Sequence, residues 1–600
     1  MTETKRPHVA WIWAIWRERG SLIALLFFLT LLSSAVAVTY PYLTKILFDT
    51  LQRLLASPDP AGAAEGLAAI RRLALMVLGV GIAGFAANFF PGVRSVVNAI
   101  SDYLVRKRYF GVVMRKDHRF FAAFRSGDVV TRLTDDIHDY PKLSWFLCSG
   151  IFRAVESISK ISFCVAAMLL LDWKLTLLSL IPLPLLIAVF AVTQDRIYDT
   201  FRRNQEAISD INSQLEMSFS GARIIKAYAC EAKYERFFSD ALARRLGTEM
   251  AAARLEIVLQ MIYMYIDRVM LIGVVFIGGY MAAAGKISIG TFLAFYSYLG
   301  MLVYPILDIP NLFVSGKRAF VNIDRLEELR ERPSREAPAG LEALREVGRI
   351  EVDGLSFAYE GRTDPALDGV AFSLEPGEKL AVIGPVGSGK TTLVKLLGGI
   401  LYPREGRIRA AGRTVASAEA RGEEASISSL LAYVPQEALL FSGTIRENVA
   451  LGAPGDGRSI DEETFERAVS TAQLSGEIAS FPAGSGTMLG QRGVAVSGGQ
   501  RQRIAIARAI ARSPRLLLLD DITASLDAQN EERLMLALDA WSRDLSCVIV
   551  SHRLSTIQYV DKVLYLEGGR VVAFGRHEEI LGSNPAYAAF ISEHLAAAEA

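Results

Sequence analysis

The stretch Gly384-Pro385-Val386-Gly387-Ser388-Gly389-Lys390-Thr391-Thr392 decides how this chain is read. The apolar run Leu380-Ala381-Val382-Ile383 precedes it and reads as a buried strand. Leu393-Val394-Lys395-Leu396-Leu397 follows it and reads as the body of a helix. Strand, glycine-rich turn and helix fit G-x-x-x-x-G-K-[ST], a loop that cradles a phosphate chain. The glycines let backbone N–H groups point inward, and the helix adds the positive end of its dipole. In that geometry Lys390 is expected at the β/γ-phosphates and the Thr391 hydroxyl on Mg²⁺.

The partners such a loop needs lie downstream. Leu516-Leu517-Leu518-Leu519-Asp520 reads as a buried parallel strand that delivers a carboxylate to the metal at its C-terminal end. Asp521 comes next, beside the expected position of an attacking water. Gln436 follows Tyr433-Val434-Pro435, a strand end, and is placed to sense metal or water. His552 follows Val548-Ile549-Val550 and can reach a γ-phosphate, although a lone histidine is more often structural. Tyr359 precedes the loop and could stack on a nucleobase; a packed strand tyrosine is the commoner fate. Val496-Ser497-Gly498-Gly499-Gln500 opens the helical run Ile504–Ala509 and makes a second anion site at a helix N-terminus. One chain seldom needs two γ-phosphate sites, so the second is read as serving ATP held by another subunit.

Upstream the character changes. Of 600 residues, 51% are hydrophobic, and long apolar runs fill the chain up to about residue 318. After 345 it resembles an ordinary soluble α/β domain. The net charge of +1 gives no general preference for nucleic acid. Cys148, Cys164, Cys230 and Cys547 are scattered and match neither a disulfide framework nor a zinc pattern. No cleavable signal pattern and no short-period repeat is expected.

Apolar segments at 21–47, 73–90, 151–171, 175–192, 257–281 and 291–314 are each roughly 18 residues or longer, enough to cross about 30 Å of hydrocarbon. Residues 52–66 are expected as a polar loop. Spans three and four are joined by Asp172-Trp173-Lys174, and spans five and six by Gly285–Gly290. The two long connections are helical and cationic, which places them and both termini in the cytoplasm. Trp11, Trp13 and Trp16 beside Arg17 and Arg19 read as an interfacial helix over 1–20. Arg153, Glu156 and Lys160 share one helix face, and Asp267, Arg268 and Asp308 interrupt later spans. They read equally as a substrate pathway or as internal salt bridges.

With these residues assembled, the whole chain resembles a half-transporter of the ATP-binding cassette (ABC) exporter family. The family's Walker A motif matches 384–392, its Walker B 516–520 and its signature 496–500, with Val496 where Leu is usual. Its A-, Q-, D- and H-loops match Tyr359, Gln436, Ser525-Leu526-Asp527 and His552. The resemblance implies a six-span helical transmembrane domain with intracellular extensions over 21–325, a linker over 326–348, an α/β P-loop nucleotide-binding domain over 349–590 and a tail over 591–600. It implies ATP and Mg²⁺ as cofactors, short coupling helices in the long connections, and a plasma (inner) membrane, bacterial by its short outer loops and fused half-transporter layout. It also implies two cassettes meeting head to tail, each ATP lying between the Walker motifs of one and the signature of the other.

Position 521 departs from the family pattern, which has Glu there. One methylene fewer withdraws the carboxylate by roughly 1 Å, which can cost about 100-fold in rate. The resemblance is then to the degenerate-site half of a heterodimeric exporter of amphipathic small molecules, drugs or lipids. Its second chain is expected to be a different half-transporter carrying the Glu. Other readings are a homodimeric lipid flippase or peptide exporter, and an ATP-gated regulatory subunit with little turnover. The spans exclude a soluble DNA-repair ATPase.

Overall fold

The structure, a computed structural model of the chain, describes residues 8–56, 60–138, 143–181, 183–332, 343–362, 364–417, 426–455, 457, 459–490, 496–523 and 526–599. It divides into two compact units: Met1–Met114 with Arg125–Arg332, and Arg115–Phe124 with Pro333–Ala600.

The first unit is helical throughout. Its long helices are Gly20–Ala56, Pro60–Ala87, Phe90–Val113, Ile151–Leu171, Leu183–Ser220, Glu231–Ala283 and Ile289–Glu331. Among the described residues, four helical stretches are long and apolar enough to cross a membrane: His8–Leu54, Gly66–Val113, Ser126–Leu171 and Glu231–Ala283. The expected fourth span is divided between the helices Trp173–Ser179 and Leu183–Ser220, the expected sixth falls within Ile289–Glu331, and six crossings stand as a proposal.

Two expectations for the helical unit are corrected by the structure. The loop expected over 52–66 is helical up to Ala56 and again from Pro60. Its Ala- and Leu-rich sequence favours helix, and proline is well tolerated in a first turn. The short helix expected from Arg325 is present as the end of the last helix, which runs on to Glu331. The N-terminal helix His8–Trp16 does form, but its tryptophans do not all face outward. Trp11 is buried and donates to Tyr109 Oη at 2.8 Å, and Trp16 donates to the Leu147 carbonyl at 3.1 Å; only Trp13 is exposed.

The charges expected in the spans are partly paired. Lys160 meets Glu156 at 2.6 Å on its own helix, while Arg153 reaches Asp308 at 3.7 Å on the last helix. The Asp267 side chain lies outside the described residues. Further along, Arg132, on the Ser126–Leu133 helix, is buried among partners. It pairs with Asp128 at 2.9 Å and Glu328 at 2.7 Å, and Arg325 bridges Asp128 and Asp136 at 3.0 and 2.6 Å.

The second unit holds two sheets. One is antiparallel, ordered β2 (Leu367–Leu374), β1 (Ile350–Phe357), β4 (Glu405–Ala410), β5 (Arg413–Ser417). The other is ordered β10 (Arg570–Gly575), β9 (Lys562–Glu567), β3 (Lys379–Ile383), β8 (Ser546–Val550), β7 (Leu516–Asp520), β6 (Leu431–Val434). It is parallel from β9 to β6, with β10 antiparallel at the edge. Every residue of β3, β7 and β8 is buried, as expected for strands covered on both faces. The sequence Ile350-Glu351-Val352 reads as one strand and Leu355-Ser356-Phe357-Ala358-Tyr359 as another, but the two are joined in a single β1 that ends at Phe357. Gly354, at φ +60°, absorbs the register shift between Val352 and Leu355. The short His118–Ala123 helix, N-capped by Asp117, belongs to this unit, with its Phe120 fully buried.

Candidate nucleotide site

Burial fixes the centre of the site. β3 and β7 lie on either side of β8, so the turn after Ile383 and the carboxylates Asp520 and Asp521 emerge at the same edge of the sheet. The turn requires its glycines. Gly384 sits at φ +150°, where a Cβ would stand 2.0 Å from the Leu566 carbonyl oxygen; at Gly389, φ +102°, a Cβ would meet the Ala366 oxygen at 2.5 Å. The helix Lys390–Leu397 starts immediately after this loop.

Within the loop, Lys390 Nζ donates to the carbonyl oxygens of Gly384 and Pro385, both at 2.8 Å. Burial pulls its pKa down, against the opposing pull of Asp521 and Asp520. The Ser388 hydroxyl is buried and has no hydrogen-bond partner among the described residues. A lysine turned back on its own loop and an orphaned hydroxyl are groups a phosphate chain would satisfy. Thr391 Oγ1 donates to Asp520 Oδ1 at 3.0 Å. This hard-oxygen pair suits Mg²⁺, and so does the state of Asp520, whose pKa burial raises.

Tyr433 is a functional residue that the sequence reading passed over. Its hydroxyl donates to Asp520 Oδ2 at 3.2 Å, so both oxygens of that carboxylate are held. Tyr433 lies on β6, beside β7 and three positions before Gln436, but its bond to Asp520 depends on the order of the strands. Gln436 Nε2 donates to Asp521 Oδ2 at 3.1 Å, and His552 Nε2 lies 4.0 Å from the same oxygen. Asp521 itself has left-handed backbone, φ +50°, pinned by its N–H to the Val550 carbonyl at 3.0 Å. Burial keeps His552 below the ordinary histidine pKa, with Lys390 acting in the same direction.

Tyr359 lies just past β1 and shares a hydrogen bond with Thr392 at 3.1 Å, so it stands over the same helix start. The structure thus brings together Tyr359, the loop residues Gly384, Pro385, Val386, Gly387, Ser388, Gly389, Lys390, Thr391 and Thr392, and Gln436, Asp520, Asp521 and His552. Ser497, Gly498, Gly499 and Gln500 stand apart from it. Ser497 and Gln500 form a capping box, Gln500 N to Ser497 Oγ at 3.2 Å and Ser497 N to Gln500 Oε1 at 2.8 Å. Among the described residues no hydrogen bond joins these four to the loop. One turn on, Gln502 Nε2 donates to the Pro435 carbonyl at 3.0 Å, linking this helix to the segment that carries Gln436. Asp527 caps the Ala528–Trp541 helix through Asn530, while Ser525 lies outside the described residues.

Comparison with known proteins agrees with this geometry. The ABC transporter transmembrane region matches residues 23–306, and the ABC transporter cassette matches 367–524. An "Uncharacterized ABC transporter ATP-binding protein YfiB" of Bacillus subtilis (strain 168) is 30% identical over 548 residues, covering 91% of this chain and 93% of its own. This chain belongs to the ABC transporter family. Another similar protein of that organism, "Probable multidrug resistance ABC transporter ATP-binding/permease protein YheI", is 29% identical, covering 81% of this chain and 82% of its own. In fold the transporter is similar to a bacterial Atm1-family ABC exporter solved with ATP bound: TM-score 0.77 at 22% identity, covering 97% of this chain and 99% of that one. It is an ABC transporter that combines a membrane region with an ATPase cassette and couples ATP hydrolysis to transport.

Proposed function

We propose that this chain is one half of a heterodimeric exporter that moves amphipathic small molecules, drugs or lipids across the cell membrane by alternating access. The cassette and both termini are cytoplasmic. The observation that carries the heterodimer reading is Asp521. Its carboxylate lies beside Asp520, bonded to Gln436 and near His552, where a catalytic carboxylate belongs, but on a side chain one methylene short.

In this reading Lys390 moves from the Gly384 and Pro385 carbonyls to the β/γ-phosphates, and the loop's N–H groups take the remaining oxygens. Mg²⁺, held by Thr391 and Asp520 with Gln436 near, would neutralise charge on the phosphates. Tyr359 stacks on the base. The capping box at Ser497 presents Gly498 and Gly499 N–H groups to ATP held by the partner chain, with Asp527 near that interface. Closing the two cassettes drives the spans outward-facing; hydrolysis at the partner-Glu site resets them. The chain's own loop, with Asp521, holds ATP and turns it over slowly.

Amphiphile-stimulated ATPase activity of the native complex in nanodiscs tests the export reading. Stimulation is expected with wild type and is lost with Lys390→Ala. Turnover indifferent to every amphiphile would point instead to an ATP-gated regulatory subunit.

A further inference from the structure

The membrane unit contains charges that the nucleotide chemistry does not use. Glu156 and Lys160 neutralise one another at 2.6 Å, and Asp308 is met by Arg153 at 3.7 Å. Arg94, on the Phe90–Val113 helix, differs from these. Its charged neighbours are Arg153 and Glu156, its guanidinium lies 5.4 Å from the Phe90 ring centroid, and among the described residues it forms no ion pair. Asn98, one turn further along, makes no hydrogen bond among the described residues and has a buried carboxamide oxygen. The group is therefore three cations against two anions, with both anions already engaged and two polar side chains on one helix face uncommitted.

The depth of this group matters. Phe90 packs in a buried cluster with Leu26, Val97, Cys148 and Phe152. Leu26 lies in the first span, roughly 9 Å beyond Gly20 at 1.5 Å per residue. Arg94 is thus inside the leaflet nearest the start of that span, where an uncompensated cation is costly and usually marks a ligand path. Apolar rings continue from this cluster: Phe27 is exposed and meets Phe152 edge-on at 6.2 Å.

We propose that Arg94, with Asn98 and Arg153 beside it, is a receptor for the anionic headgroup of an amphiphile: a phosphate, sulfonate or carboxylate on an apolar tail. The planar guanidinium suits bidentate oxygen ligands, and the low-dielectric surroundings strengthen the pairing. The site rests on the export reading and names the charge of what is exported. Either a transported amphiphile or an anionic bilayer lipid could supply the headgroup.

The test uses the native complex in nanodiscs and three amphiphiles with one tail: decyl phosphate, decyl maltoside and decyltrimethylammonium. Half-maximal ATPase stimulation is read for wild type, Arg94→Gln and Arg94→Lys. Arg94→Gln is expected to raise the decyl phosphate concentration needed by about tenfold, the loss of one charge-assisted pair. It should leave the other two within about twofold, and Arg94→Lys should restore most of the phosphate response. A weaker decyl phosphate response in wild-type discs containing phosphatidylglycerol, absent in Arg94→Gln, would identify lipid as an occupant of the same site. Equal shifts for all three headgroups, or none, would overturn the site while leaving export intact. No stimulation of wild type by any of them would overturn both.

Discussion

Asp520 carries more of the site's chemistry than its position in a motif suggests. It is 1% exposed, adjacent to Asp521, and burial raises its pKa above the usual carboxylate value. A raised native pKa means the favourable protonated form is present at low pH and is lost as pH climbs through the native value. At neutral pH the ionised Asp520 therefore costs stability until a cation arrives. Asp520→Asn should raise the melting temperature of the nucleotide-free protein by about 2 °C at pH 7.5 and flatten its decline as pH rises above the ordinary carboxylate range. It should also abolish the further rise that Mg-ATP gives the wild type; thermal unfolding in detergent checks all three. Tyr359→Ala should weaken fluorescent-nucleotide binding about tenfold through lost stacking, with Tyr359→Trp close to wild type. The nucleotide residues were legible from sequence because each is tied to its neighbours by a fixed spacing around strand ends. Tyr433 was not legible, because its contact with Asp520 crosses from β6 to β7 and depends on strand order. The left-handed backbone of Asp521 was equally hidden, being set by its bond to Val550 on β8.

Element boundaries were read less well than element identity. The Gly354 shift merged two expected strands into one, because a single glycine at φ +60° lets the chain change register without leaving the sheet. Polar composition around 52–66 suggested a loop, but alanine-rich sequence and a first-turn proline made helix. The tryptophans of His8–Trp16 looked interfacial, yet Trp11 is committed to Tyr109 and Glu327. Arg132 belongs to the same scale: its helix is short, and it pairs both with Asp128 on that helix and with Glu328 on the last one. Arg132→Ala should leave Glu328 without this partner and Asp128 with Arg325 alone, and cost about 1 to 2 kcal/mol because both carboxylates are partly exposed, seen as a lower melting temperature of the intact protein. Arg132→Lys should recover only part of it, since one ammonium cannot replace a fork bonded to two carboxylates and the Arg325 carbonyl.

At the scale of the whole molecule, the proposed function gives the ATP chemistry a second chain. Ser497–Gln500 makes no hydrogen bond to its own loop among the described residues, and the catalytic position carries Asp. The account therefore expects unequal sites. Asp521→Asn should lower turnover of the native complex less than about threefold, while removing the partner's Glu should lower it about 100-fold or more. Membrane and cassette halves were legible from the shift in hydropathy along the chain. Assembly was not, because one sequence shows only one side of an interface. The most direct measurement is the intact mass of the complex extracted from its own membranes. The account predicts this 65.7 kDa chain joined to a second, different ABC chain with Glu after its Walker B Asp. A complex of twice 65.7 kDa would contradict it and make Asp521 the working carboxylate at both sites.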